Sequence, residues 1–204
     1  MREYDSIHDF QDGLASVKLG NKWGFINTKG EEIIPFIYDY GFNFKDGLGM
    51  VELNGKWGCI DKNGKEIISC KYDQIFTFYN GLASIELNNK YGYIDKTGKV
   101  IIPIMYDYVY DFTEELIRVQ LNNKTGFINI ENKIIIPLIY DHTYSFIKDG
   151  MISVELNGKC GYINIKGEEV IPCIYDEIYD FQEGLAGVKL NNKFYFIDKS
   201  GKKL

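Results

Sequence analysis

A period of 34 residues runs the length of this chain and limits what it can fold into. A bulky residue between Lys and Gly marks it: Lys22-Trp23-Gly24, Lys56-Trp57-Gly58 and Lys90-Tyr91-Gly92. The mark continues in altered form as Lys124-Thr125-Gly126, Lys159-Cys160-Gly161 and Lys193-Phe194-Tyr195. A second mark, Tyr-Asp, stands at 4–5, 38–39, 72–73, 106–107, 140–141 and 175–176. The 204 residues therefore hold six copies, with one extra residue between Phe146 and Gly150. A short repeat cannot bury its apolar face alone, so neighbouring copies must stack into a continuous core. No linker separates the copies, and the reading is a single domain over residues 1–204.

The same period suits helical tetratricopeptide arrays. Composition excludes them: three Ala stand against 29 Ile, 16 Tyr and 13 Phe. Ala is the best helix former, whereas Ile, Tyr and Phe favour half-buried strands. Each copy reads as an antiparallel meander. In the second copy, Gly47 to Leu53 is a strand, Lys56 to Asp61 is its partner, and Glu66-Ile67-Ile68 opens a third running towards Tyr72. Asn54-Gly55 joins the first two; the other copies place Gly20-Asn21, Asn88-Asn89, Asn122-Asn123, Asn157-Gly158 and Asn191-Asn192 there. Asn and Gly tolerate the positive φ that a type I′ hairpin needs at both positions. A second turn follows at Lys62-Asn63-Gly64, and its Gly recurs at 30, 98, 167 and 201, with Asn132 in its place once.

The two-residue loop fixes which residues share a face. Val51, Leu53, Gly58 and Ile60 lie on one side, and Leu48, Met50, Trp57 and Cys59 on the other. Both sides are apolar, so each meander is covered twice, most simply by its neighbours. The Gly opposite Val51 is expected to leave room for a neighbour's side chain. The stretch from Tyr72 to Phe78 carries aromatics at even offsets, on one strand face. It forms either a fourth short strand or the crossing to the next copy.

These residues resemble the WG-containing repeats of bacterial proteins. The pattern here is Phe10-x-x-Gly13-Leu14-Ala15, Lys22-Trp23-Gly24-Phe25-Ile26-Asn27, Gly30, Ile33-Ile34-Pro35 and Tyr38-Asp39. The resemblance implies a β-rich tandem repeat used for binding or scaffolding, without an assigned catalytic residue. Departures gather in the fourth copy, at Glu115, Arg118, Thr125 and Asn132, and in the sixth at Tyr195.

The fold class is thus all-β, six tandem antiparallel meanders. Open arrays usually carry polar caps, and here the terminal copies are as apolar as the inner ones. Read end to start, Gly201 to Leu204 and Met1 to Asp5 nearly reproduce Gly167 to Asp176. A closed, propeller-like ring is therefore favoured, narrowly, over an open β-superhelix.

Net charge is −6, which leaves no basic footprint for nucleic acid. Arg2 and Arg118 are the two arginines. Met1 to Asp5 lacks the apolar run of a signal peptide, and Ile134 to Tyr140 is too short to span a bilayer. The expectation is a cytoplasmic chain without membrane partners, monomeric rather than oligomeric, and without a cofactor or metal. The four Cys follow no metal-ligand spacing; Cys59 and Cys160 read as small core residues, and Cys70 and Cys173 share the site after the Pro position, three copies apart. His8 replaces a strand aromatic found at Phe42, Phe76, Tyr110, Tyr144 and Tyr179, and His142 sits at a variable site.

The candidate ligand residues are the recurrent Asp5, Asp39, Asp73, Asp107, Asp141 and Asp176, together with Arg118. The carboxylates are either turn acceptors for backbone N–H groups or a ring that takes cations or a basic partner. Arg118 stands where other copies carry Ser, Gly or Met, and would protrude into a channel, with Glu114 or Glu115 as ion-pair partners. The recurrent Lys reads as a solvated hairpin charge. The recurrent Tyr is either core with a bonded hydroxyl or an exposed ladder. The expected function is a non-catalytic module binding a protein or peptide. Carbohydrate or small-ligand binding through repeated aromatics is the alternative.

Overall fold

The computed structural model describes residues 2–112, 116–144 and 150–204, with the backbone alone at 111 and 112. Glu114, Glu115 and the segment from Phe146 that holds the extra residue lie outside the described residues. Among the described residues the elements are β-strands throughout, and they form six antiparallel sheets, one per repeat. Among the described residues no helix is long and apolar enough to cross a membrane. The sheets group into two compact units, Met1–Met105 and Tyr106–Leu204.

The second sheet shows the plan. Its strands, in spatial order, are Tyr40–Lys45, Leu48–Leu53, Lys56–Ile60 and Glu66–Tyr72. The segment after Tyr-Asp is thus a fourth strand, and it opens the following sheet. A tight turn at Asp46-Gly47 (φ 53° and 82°) leads from it into the next strand. The second turn, Asn54-Gly55, has φ 54° and 71°, as type I′ requires. Four other copies match it, while the first has positive φ at Gly20 alone of its pair. Leu53 faces Lys56, Glu52 faces Trp57, and Val51 faces Gly58, the register expected from the loop length. The third turn is held by a side chain: Asp61 Oδ1 accepts the amides of Asn63 (2.8 Å) and Lys65 (2.9 Å). Asn132, where other copies have Gly, adopts φ 62°, which Asn tolerates.

The Gly of the first mark has a different role from the one expected. Trp57 pairs with Tyr72, but Cys59 pairs with Ile68. Two steps on one strand therefore face four on the other, and the outer strand bulges across Gly58. A Cβ on Gly58 would lie 2.5 Å from the Ile68 carbonyl oxygen. The corresponding distances are 2.7 Å at Gly24, 2.5 Å at Gly92, 2.6 Å at Gly126 and 2.5 Å at Gly161. The glycine makes room for its own sheet's fourth strand, not for a neighbour's side chain. Pro35, Pro137 and Pro172 sit in the bulged stretches, where a missing N–H interrupts no ladder. The sixth sheet explains Tyr195. Among the described residues it has three strands, Glu177–Ile178, Leu185–Leu190 and Lys193–Asp198, with a single bridge from Lys203 to Ile197, and no fourth strand crosses the position. Lys203 Nζ lies 4.0 Å from the Tyr195 ring centre instead.

The core lies between successive sheets of each unit. Trp23, Phe25 and Ile34 of the first sheet pack against Phe44, Val51 and Ile60 of the second. Cys59, Ile68 and Tyr72 meet Ile75 and Ile85 of the third. In the other unit, Phe127 and Tyr140 meet Val154 and Ile163, and Tyr162 and Tyr175 meet Phe181 and Val188. The face bearing the Trp position is thus covered by the next sheet.

Candidate functional site

All six recurrent Asp carboxylates brace a hairpin. Oδ2 of Asp5, Asp39, Asp73, Asp107, Asp141 and Asp176 accepts the amide of Gly20, Asn54, Asn88, Asn122, Asn157 and Asn191, at 2.5–2.8 Å. Oδ1 takes the recurrent Lys of the preceding sheet: Lys22–Asp39 (2.5 Å), Lys56–Asp73, Lys124–Asp141 (2.5 Å) and Lys159–Asp176 (2.6 Å). The Lys, expected as a solvated charge, is one half of an inter-repeat clasp. Its hydrogen bond, with that of the turn amide, holds the Asp39, Asp73, Asp141 and Asp176 carboxyls below the usual range.

A lowered carboxyl pKa stabilises the fold above the unfolded value of about 3.9, and the benefit disappears as pH falls through the folded value. The melting midpoint is therefore expected to hold steady from pH ~7 to ~5 and to fall progressively below pH ~4. Thermal melts across that range check this, and an Asp73→Asn variant is expected to show a shallower acid limb.

The recurrent Tyr are core residues. Tyr38, Tyr72, Tyr106, Tyr140 and Tyr175 are buried, and Tyr4 is half-buried against Phe36. Tyr106 donates from its hydroxyl to Asn132 Oδ1 at 2.6 Å. A set of exposed aromatics occupies another register, four residues further on: Phe42, Phe76, Tyr144 and Tyr179. In the first unit the rings of His8, Trp23, Tyr40, Phe42 and Trp57 form a continuous row, with successive centroids 4.8, 5.0, 4.9 and 5.5 Å apart. Beside it lies a groove of about 550 Å³, drawn from three consecutive repeats. Phe42, Leu48, Met50 and Phe78 give it an apolar lining; Asp9, Lys45 and Asp46, the last paired with Lys96 at 3.1 Å, give it charged groups. The sequence signal for this site was the recurring aromatic at even offset from Tyr, read there as a strand position alone.

With the geometry described, comparison with known proteins adds a family. The model described as "WG containing repeat" matches residues 2–23, 23–57, 57–91, 91–124, 126–160 and 161–194. The chain belongs to the WG-containing repeat family. No curated protein matches it. Among solved structures it is similar to a eukaryotic initiation factor at 10% identity and TM-score 0.48, over 98% of this chain and 64% of that one. It is also similar to BamB from Moraxella catarrhalis, at 9% identity and TM-score 0.43, over 96% of this chain and 71% of that one. The chain thus spans less than two thirds of the initiation-factor structure. At these identities and scores the likenesses carry no argument about ligand or activity.

In these WG repeats the family residues are spent on architecture: Trp23 lies under the next sheet and Gly24 under its own outer strand. Arg118 belongs to the same framework. Its Nη1 donates to the Thr143 carbonyl (2.8 Å) and Thr143 Oγ1 (3.3 Å), and its guanidinium lies 3.9 Å from the Tyr110 ring centre. It ties the fourth sheet to the first strand of the fifth. Thr125, at a Trp position, is buried and donates to the Tyr140 carbonyl at 3.3 Å. His8 Nδ1 lies 2.7 Å from Ser16 Oγ, but Ser16 has no exposed surface for a substrate to reach. Burial pushes the Cys59 thiol up to about 12 and Cys173 up to about 11, and raises Cys70 and Cys160 as well. Neutral thiols of this kind are poor nucleophiles.

Proposed function

We propose that this chain is a non-catalytic interaction module that binds an extended peptide segment of a protein partner in the groove of the first unit. One observation supports the reading above others: the groove combines an exposed Phe42 and a partly buried apolar lining with the Asp9 carboxylate, where the invariant residues are engaged internally. Aromatic anchors in a concave site are the usual source of binding energy. Asp9 and the net charge of −6 favour a peptide with basic residues beside its apolar ones. Carbohydrate binding through the recurrent Tyr loses its basis, because five of those rings are buried. A cytoplasmic location belongs to the same proposal.

Selection from a random peptide display library on the full chain tests it. The expected outcome is enrichment of extended sequences that pair apolar with Lys or Arg residues. Absence of enrichment at low salt contradicts the proposal.

For the arrangement of the six sheets, two proposals stand from the sequence: the closed, propeller-like ring and the open β-superhelix. Small-angle scattering separates them. A compact closed form of this length is expected near a radius of gyration of about 17 Å, and an open one above it.

A further inference from the structure

One face of the second sheet gathers three aromatic rings around a carboxylate. Tyr40 pairs with Glu52, and Glu52 with Trp57; residues directly opposite across strands share a face. The Tyr40 and Trp57 rings lie 6.1 Å apart, and the Phe42 ring lies 4.9 Å from Tyr40 and 5.5 Å from Trp57. Phe42 is 43% exposed, and Tyr40, Glu52 and Trp57 are half-buried. Among the described residues the Glu52 carboxylate has no hydrogen bond or ion pair, and no cation stacks on the three rings.

Other sheets supply a cation at these positions from within. In the fourth sheet Tyr110 holds the repeat position of Phe42 and Arg118 that of Met50, and the guanidinium lies 3.9 Å from the ring centre. In the sixth sheet Glu177, Lys189 and Phe194 hold the positions of Tyr40, Glu52 and Trp57. Lys189 Nζ pairs with Glu177 at 2.6 Å and lies 5.6 Å from the Phe194 ring centre. The second sheet keeps the rings and a carboxylate but puts Met50 and Glu52 where those cations arise. Its face is also continuous with the groove. Leu48 and Met50 line the groove, and Glu52 follows on the same side of the strand, roughly 6.8 Å beyond Met50.

We propose that Tyr40, Phe42, Trp57 and Glu52 form a subsite for an arginine side chain of the partner peptide, its guanidinium stacked on the rings and paired with Glu52. This deepens the reading of the groove as a peptide site and rests on it. A planar guanidinium stacks on an aromatic face while it donates to a carboxylate, which a compact ammonium does less well. The Arg118–Tyr110 stack is the same contact made within the chain. Of the charges lining the groove, Asp9 adds to the attraction and Lys45 opposes it, while Asp46 is already paired with Lys96. An extended peptide alternates its side chains at the step of the strand beneath it. An apolar residue over Met50 therefore brings the residue two positions away over Glu52, and the pattern recognised is an apolar residue and an Arg with one residue between them.

Titration of N-acetyl-arginine amide into the full chain, read by the NMR shift of the Trp57 indole N–H, tests the proposal. A saturable shift at millimolar ligand is expected, and none with N-acetyl-citrulline amide, which keeps the shape and lacks the charge. Glu52→Gln is expected to weaken the arginine probe by about fivefold or more with the melting curve retained. Met50→Arg places in the second sheet the residue of the fourth, and is expected to abolish the shift. In display-selected peptides, replacing the Arg by citrulline is expected to lower affinity for the parent chain and not for Glu52→Gln. Absence of a saturable arginine shift, or equal arginine affinity in Glu52→Gln, overturns the proposal. Selected peptides that bind equally well after the citrulline replacement overturn the subsite and leave the groove reading standing. Failure to select any peptide while the arginine shift persists overturns the groove reading and not the recognition of a guanidinium.

Discussion

Replacing Gly58 with Ala is expected to destabilise the fold by about 3 kcal/mol or more. The added methyl would sit 2.5 Å from the Ile68 carbonyl oxygen and 2.7 Å from the Cys70 amide nitrogen. Both are backbone atoms of a paired strand, so neither can swing aside as a side-chain tip could. Relief requires the bulge to open, which pulls Tyr72 from its pairing with Trp57 and unpacks a ring that is 1% exposed. For a chain of this length the cost corresponds to a fall in melting midpoint of roughly 6–12 °C. The sixth copy supplies the control. Tyr195 stands at the equivalent position without a fourth strand across it, and Tyr195→Ala is expected to cost about 1 kcal/mol. Equal losses at the two positions would show that the glycine matters for strand propensity and not for the crossing strand.

Phe25→Ala is expected to cost about 3–5 kcal/mol, the range for a large ring removed from a packed core. Phe25 has no exposed surface, and its ring meets Phe44 edge-on at 5.1 Å across the first two sheets. The void would lie between Val51 and Ile60 on one side and Trp23 and Ile34 on the other. Phe196→Ala changes the same repeat position on the last sheet, where the ring is 62% exposed, and is expected to alter stability by no more than about 0.5 kcal/mol. Urea titrations of the two variants measure the difference, with the slope held to that of the parent. A similar cost for both would mean that the Trp-position face is not what the following sheet covers.

Some of this was legible in the chain alone. Asn54-Gly55 and its equivalents have the local chemistry of a two-residue hairpin, and the pairing of Val51 with Gly58 follows from that turn. Six units, strand character and the alternation of faces come from the same short-range patterns. What escaped depends on residues far apart in sequence. Lys22 and Asp39 belong to different sheets, so a period shows that both recur but not that they touch. The glycine was misread because a bulge in the outer strand, not the hairpin, decides what lies above Gly58. Arg118 looked like an intruder in a channel, yet its partner Thr143 lies in the next sheet, 25 positions on. The recurrent Tyr drew attention by invariance and proved to be buried, while the aromatics four residues later carry the exposed surface. Invariance among copies marked the architecture, and the candidate site lies in positions that vary.

We propose that the groove beside Phe42 binds the peptide partner, while the repeated Tyr, Asp and Lys hold the sheets together. Calorimetric titration of a display-selected peptide into the parent chain, Phe42→Ala and Phe196→Ala tests it most directly. Phe42→Ala is expected to weaken binding by about tenfold or more, and Phe196→Ala to leave it unchanged. Undiminished affinity in Phe42→Ala, or an equal loss in both variants, would contradict it.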